Sequence, residues 1–148
     1  MNTITFLRFV HILSMAIWFG GGLTLAGDVR KSLARGKAAA ELLPSRVERT
    51  LTIGLVGAIG TIVSGLVLIF QMGGFKGISP RIHAGLGLAL VAFAVELIVL
   101  RGAAQALGPA IAKDDEAAMR SLPKRFAMAA GIGHTLKLII LVLMVFRF

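Results

Sequence analysis

The sequence predicts an all-α integral membrane protein, built as an antiparallel bundle of four transmembrane helices. Of its 148 residues, 57% are apolar and 16% are charged, whereas roughly 25% are charged in an ordinary soluble domain. The apolar residues form four long stretches, and residues 50–75 contain no Asp, Glu, Lys or Arg. Because a helix needs roughly 20 apolar residues to cross a bilayer, a soluble domain is excluded. The chain also has no cysteine, which excludes a disulfide scaffold.

Turn and cap residues place the four spans at residues 3–27, 50–72, 80–104 and 126–147. Gly36 predicts the end of a cytoplasmic extension of the first helix. A short amphipathic piece is expected at residues 38–43, and Pro44 suits the first turn of the helix that follows. Before the fourth span, a small separate helix is expected at residues 114–121, ended by Pro123. The chain is therefore expected to form one domain.

The distribution of basic residues predicts the orientation of the bundle. Eleven Lys and Arg residues lie in the connections between spans one and two and between spans three and four: Arg30, Lys31, Arg35, Lys37, Arg46, Arg49, Arg101, Lys113, Arg120, Lys124 and Arg125. The opposite side has four: Arg8, Lys76, Arg81 and Arg147. By the positive-inside rule, both basic connections are cytoplasmic and both termini are outside. The net charge of +9 thus reflects topology and contact with the lipid bilayer, and does not indicate a nucleic-acid partner.

Ionisable residues inside the predicted spans are the candidate functional residues, because they are costly in hydrocarbon. All three histidines, His11, His83 and His134, lie in spans, which favours a bound metal or cofactor and makes each a candidate metal ligand. Glu96 is expected at a depth that allows a buried ion pair with Lys137 or with His134. Such a pair can be structural or part of a proton path, and the sequence leaves both open.

A b-type haem fits the two outer histidines. His11 and His83 fall at overlapping depths on the first and third helices, so two imidazoles can ligate the iron from facing helices. Arg8 and Arg81 lie within one turn of them on the surface side, where cations could meet the haem propionates. Gly87 shares a face with His83 and leaves room for a flat group.

A copper site is the alternative cofactor. Met15 lies one turn from His11, and an imidazole with a thioether suits Cu(I). Both belong to a stripe on the first helix that also contains Arg8, Trp18 and Gly22, at spacings of three and four residues. Trp18 is too deep for an interfacial aromatic belt, so this stripe is expected to face the bundle interior and to form part of the cofactor site.

The segment from Phe6 to Gly22 resembles the first helix of a group of bacterial membrane proteins that includes the copper-resistance D family and the HemJ-type protoporphyrinogen oxidases. The shared pattern is a His ahead of a Trp-Phe-Gly turn of small residues, followed by basic residues such as Arg30 and Lys31. The resemblance implies a four-helix bundle in the inner (cytoplasmic) membrane, with His11 as a haem-binding residue. HemJ-type proteins have an essential Lys at the start of the third helix, where this chain has His83.

These observations favour a haem b-binding membrane protein, for electron transfer or for oxidoreductase chemistry of the HemJ kind. No catalytic residue is identified, and whether the chain is an enzyme stays open. A redox protein or a quinone is the partner that such a function implies, and a homo-oligomer is left open. One alternative is a copper-handling permease of the copper-resistance D kind. Another is a cofactor-free accessory subunit docked through the small-residue groove of Gly57, Thr61 and Gly65.

A topology reporter tests the predicted orientation. A reporter that is active only outside the cytoplasm should be active when fused after Phe148, because both termini are expected outside. The same reporter inserted near Lys37 should be inactive. The reverse pattern would overturn the orientation.

Overall fold

The structure, a computed structural model, describes residues 2–146, and this range contains helices and no strand. Four helical segments are long and apolar enough to cross a membrane, which confirms the predicted all-helical class: Thr3–Ala34, Lys37–Gln71, Pro80–Ala112 and Glu116–Val145. Arg147, the last residue of the predicted fourth span, lies outside the described residues. The individual helices are α1 (Thr3–Gly21), α2 (Leu25–Ala34), α3 (Lys37–Glu41), α4 (Leu43–Gln71), α5 (Pro80–Val95), a π-helical segment (Glu96–Leu100), α6 (Arg101–Ala112) and α7 (Glu116–Val145).

The first span is broken, where the sequence predicted a continuous helix. Helix α1 ends at Gly21 and α2 begins at Leu25. The backbone amides of Gly22 and Leu23 both hydrogen-bond to the carbonyl oxygen of Gly20, instead of reaching back four residues along the helix. Successive glycines carry no side chains that would favour the helical ladder, so this tighter turn forms easily.

The third span is longer than predicted and contains a π-helical segment. Helix α6 continues past the predicted end near Ala104 and ends at Ala112, with Pro109 inside it. The π-helical segment begins at Glu96. Single-turn π segments within α-helices are rare and are frequently found at functional sites. Because a π turn contains more residues than an α turn, the segment also shifts the faces of the residues that follow it.

The fourth span begins about ten residues earlier than predicted, because the expected small helix is continuous with it. Helix α7 starts at Glu116, where the Asp115 side chain accepts a hydrogen bond from the Ala118 amide. Pro123 lies within α7 and does not end it. A proline removes one backbone hydrogen bond, and the N-cap and the packing of Leu122 and Phe126 into the core offset this loss. Pro44 lies in the first turn of α4, as predicted.

Two apolar clusters hold the helices together. The larger lies at the end with the basic connections and unites α2, α4, α6 and α7 through side chains that include Leu25, Val29, Leu43, Val47, Leu107, Leu122 and Phe126. The smaller surrounds Trp18 and contains Ala58, Ala89, Ala92 and Ile140. Many large apolar side chains elsewhere, such as Phe9, Ile12, Val56 and Ile98, are exposed on the outside of the helices, as a lipid-facing surface requires.

The predicted small-residue groove on α4 is filled by α1 of the same chain. A Cβ atom at Gly57 would lie 2.6 Å from the backbone nitrogen of Trp18 and 2.9 Å from the carbonyl oxygen of Ser14. Thr61 is buried, and its hydroxyl donates to the Gly57 carbonyl oxygen (2.7 Å). Close backbone approach through small residues is the usual way in which membrane helices associate.

Two glycine substitutions on α4 test this packing. Gly57→Ala should lower the free energy of unfolding in detergent by about 1–3 kcal/mol, because the new methyl group meets the backbone of α1. Gly54→Ala is the matched control, since a Cβ there meets nothing within 4 Å, and it should leave stability unchanged or slightly raised. Fluorescence of Trp18, the single tryptophan of the chain, reports unfolding. Equal effects of the two substitutions would contradict the described α1–α4 contact.

Candidate functional site

A buried ion pair joins three of the four span segments. The Oε1 atom of Glu96 accepts a hydrogen bond from the Nζ atom of Lys137 (2.8 Å), and its Oε2 atom accepts one from the indole Nε1 of Trp18 (2.6 Å). The Lys137 side chain is 1% exposed and that of Glu96 is 19% exposed. Of the two partners that the sequence left open for Glu96, the structure selects Lys137. A buried carboxylate and ammonium both need such partners, because either alone would be costly.

Lys137 and His134 also cap the broken end of α1. The Nζ atom of Lys137 donates to the carbonyl oxygen of Trp18 (3.2 Å), and the Nε2 atom of His134 lies 3.2 Å from the carbonyl oxygen of Phe19. The break at Gly22 deprives these two carbonyls of their usual amide partners. The C-terminal end of a helix carries partial negative charge, which favours cations. The α7 side chains therefore replace the hydrogen bonds that the break removes.

Both ring nitrogens of His134 lie beside backbone carbonyl oxygens. Its Nδ1 atom lies 2.7 Å from the carbonyl oxygen of Ala130, and its Nε2 atom faces that of Phe19. Carbonyl oxygens only accept hydrogen bonds, so a neutral imidazole, which has one N–H, donates to only one of these two carbonyls. The nitrogen that keeps its lone pair still lies against a carbonyl oxygen, so metal ligation by His134 requires that this contact open. A Cβ atom at Gly22 would lie 3.2 Å from the ring, so this glycine provides the space that the imidazole occupies.

A small cavity lies beside the ion pair. Its volume is about 30 Å³, and its lining includes Trp18, Thr50, Gly54, Glu96 and Arg101. A water molecule needs roughly 10–15 Å³ of such volume, so the cavity has room for about two. Since Glu96 contributes to this lining, its exposed fraction faces the cavity. The carboxylate can therefore be hydrated without opening the bundle.

His11 is the candidate ligand that the structure holds in a defined orientation. Its Nδ1 atom lies 3.0 Å from the hydroxyl oxygen of Ser64, and that hydroxyl donates to the carbonyl oxygen of Gly60 (2.5 Å). When the hydroxyl proton points to Gly60 in this way, the Nδ1 atom of His11 is the donor to Ser64. The lone pair is then on Nε2. Gly65 packs against the ring, where a Cβ atom would be 3.1 Å from Cε1.

His83 lies on the opposite side of α5 from the buried residues of that helix. It is exposed, its Nδ1 atom is 3.2 Å from the carbonyl oxygen of Ser79, and its ring lies 6.2 Å from that of Phe75. Two residues along an α-helix, Gly85 faces the other way and is buried. Among the described contacts none joins His83 to His11.

The remaining predicted site residues do not form one cluster. Arg81 donates to the carbonyl oxygen of Phe146 (2.9 Å), Arg8 is exposed, and Met15 packs partly buried against the Trp18 cluster. Gly87 opens into free space, as predicted. Within residues 2–146, no group of three or more His, Cys, Asp or Glu side chains is placed to hold a metal ion.

Sequence reasoning missed the break of the first span and therefore the capping role of α7. The signal was present in the three consecutive glycines at positions 20–22, because a run of glycines can form a turn as well as a helix contact. The bond between Trp18 and Glu96 had no sequence signal, because the two residues are 78 positions apart. Their meeting depends on how the helices pack.

Comparison with known proteins adds no assignment, since no protein-family model, no curated protein and no solved structure matches this chain. Fold and site together describe an all-helical chain with four segments able to cross a membrane. A buried ion pair lies near the break of its first span. The imidazole of His11 lies about two turns before Trp18 on α1.

Substitution of Glu96 tests the buried network. Glu96→Gln should lower the free energy of unfolding in detergent by about 3–5 kcal/mol, because it leaves the Lys137 ammonium buried without a counter-charge. Adding Lys137→Met should recover part of this loss. Glu48 offers a matched control, since its pair with Arg101 (3.3 Å) is largely exposed and Glu48→Gln should cost less than about 1 kcal/mol. Strictly additive effects of the Glu96 and Lys137 changes would mean that the two side chains are not coupled.

Proposed function

We propose that this chain is a multi-pass membrane protein that binds haem b through His11 and serves electron transfer or oxidoreductase chemistry of the HemJ kind. The observation that carries the proposal is the orientation of His11. An axial imidazole ligand typically donates its other ring N–H to an oxygen, which sets the tautomer and the direction of the coordinating nitrogen. In the tautomer in which the Nδ1–H of His11 is donated to Ser64, Nε2 would be available for the iron.

The residues present supply this one axial imidazole in a held position. His83 also has its Nδ1 atom beside a carbonyl oxygen, so its Nε2 atom is the nitrogen with a free lone pair. It is the proposed second ligand, although its exposed position on α5 means that a haem between His83 and His11 requires a rearrangement or a second copy of the chain. Bound haem would supply reversible one-electron chemistry, with Arg8 and Arg81 as candidate partners of its propionates.

The distribution of charge supports a particular arrangement and orientation of the helices in the membrane. We propose an antiparallel bundle with both termini outside the cytoplasm, in a bacterial inner membrane. The helix ends that carry the basic connections converge on one apolar cluster, so the basic residues gather at one end of the molecule. A redox protein or a quinone is the partner that this function requires.

Copper handling is the alternative cofactor chemistry. Met15 lies one turn from His11, and the pair presents an imidazole and a thioether on one face. An absorption spectrum distinguishes the two cofactors, because haem absorbs strongly in the visible range whereas Cu(I) is colourless. A colourless protein that binds Cu(I) stoichiometrically would replace the haem proposal with the copper one.

An absorption spectrum of the purified protein tests the haem proposal. The wild type should show a Soret band, and reduction should give the sharp bands of a low-spin haem if two imidazoles ligate the iron. His11→Ala should abolish haem binding, and Ser64→Ala should weaken it by roughly 10- to 100-fold, because it removes the group that orients the ligand. His83→Ala should convert a low-spin spectrum to a high-spin one.

His134→Ala is the matched control, because both nitrogens of His134 lie against backbone carbonyl oxygens, and it should leave the spectrum unchanged. If His134→Ala abolished the bands and His11→Ala did not, the ligand assignment would be wrong. A preparation without Soret absorption after haem supplementation would refute haem binding altogether.

A further inference from the structure

An open cleft separates α2 from α7 at the end of the molecule that carries the basic connections. Its volume is about 320 Å³. One wall comes from α2 and the other from the first two turns of α7, which the core residues Val29 and Leu122 hold together below it. The cleft is lined by Arg30, Leu33, Glu116, Met119, Arg120 and Pro123 among others.

Each wall of this cleft contributes one guanidinium group. The side chain of Arg30 makes no ion pair or hydrogen bond within the described part of the chain, so its guanidinium N–H groups are available. Arg120 is paired with Glu116 one turn earlier on α7, and both side chains are more than 70% exposed. A guanidinium has five N–H donors, so Arg120 retains donors for a further anion. Planar guanidinium groups match phosphate oxygens in pairs.

The rest of the lining is apolar. It consists of Leu33 and Ala34 on α2 and of Met119 and Pro123 on α7. Two cations in a cleft with apolar side chains suit a ligand that joins a phosphate to hydrocarbon. The cleft lies where the apolar parts of two candidate spans end, which is the level of lipid headgroups, and basic pockets between membrane helices commonly hold anionic lipid there.

We propose that this cleft binds the headgroup of an anionic phospholipid, with Arg30 and Arg120 on the phosphate and the apolar lining against the glycerol and upper acyl chains. Glu116 weakens binding of the lipid, because its carboxylate competes with the lipid phosphate for Arg120. The proposal is independent of haem binding.

Native mass spectrometry of the detergent-solubilised protein tests the proposal, with phosphatidylglycerol and phosphatidylcholine of identical acyl chains as probes. The wild type should bind the anionic lipid more tightly than the zwitterionic one. Arg30→Gln and Arg120→Gln should each weaken binding of phosphatidylglycerol by about fivefold, the effect of one basic residue at a membrane surface. Glu116→Gln should strengthen it. Binding of phosphatidylcholine should change less in each variant, because its choline cation offsets the charge of its phosphate.

Lys113→Gln is the matched control, because Lys113 is an exposed cation at the same end of the molecule but outside the cleft. It should leave lipid binding unchanged. A loss in Lys113→Gln equal to that in Arg30→Gln would overturn the proposal in favour of non-specific charge attraction. The absence of any preference for phosphatidylglycerol would also overturn it. If inorganic phosphate displaced phosphatidylglycerol at equal concentration, the cleft would be a site for free phosphate and not for lipid.

Discussion

The carboxylate of Glu96 lies between the indole of Trp18 and the ammonium of Lys137, and this contact holds the first, third and fourth span segments at one level of the bundle. Each of the three groups would be costly inside an apolar bundle without the other two. Because one oxygen of Glu96 bonds to each partner, the arrangement also constrains how the helices rotate about their axes. The surrounding cluster of Ala58, Ala89, Ala92 and Ile140 contains mainly small side chains, which lets the helices approach closely enough for these bonds to form.

The same network stabilises the break in the first span by providing donors for the carbonyl groups at the end of α1. A helix that ends inside an apolar environment leaves carbonyl groups without partners. Lys137 and His134 lie beside those of Trp18 and Phe19 and can donate to them, so side chains from within α7 stabilise the end of α1. The two residues that look most like catalytic or metal-binding groups in the fourth helix therefore have a structural task. This assignment leaves His11, whose imidazole is oriented by Ser64, as the histidine in the described structure best suited to hold a cofactor.

The molecule thus separates two kinds of polar group along its length. The charged groups of the deep network are paired with each other. Polar groups nearer the two ends have no such pairing: the His11 imidazole lies towards one end and the Arg30 guanidinium towards the other. The proposed haem site and the proposed lipid cleft are accordingly far apart on α1 and α2.

Composition and the spacing of charged residues were sufficient to predict four apolar helices, the start of α4 at Pro44 and Glu96 as half of a buried pair, because these depend on local hydrophobicity and on the depth of a residue in its span. The choice of Lys137 over His134 as its partner, the contact with Trp18 and the filling of the Gly57 groove by α1 were decided by helix rotation and packing, which no local pattern specifies. The break at Gly22 was decided in the same way. A run of glycines permits either a close helix contact or a turn, and the capping groups on α7, more than 110 residues away, are what make the turn stable.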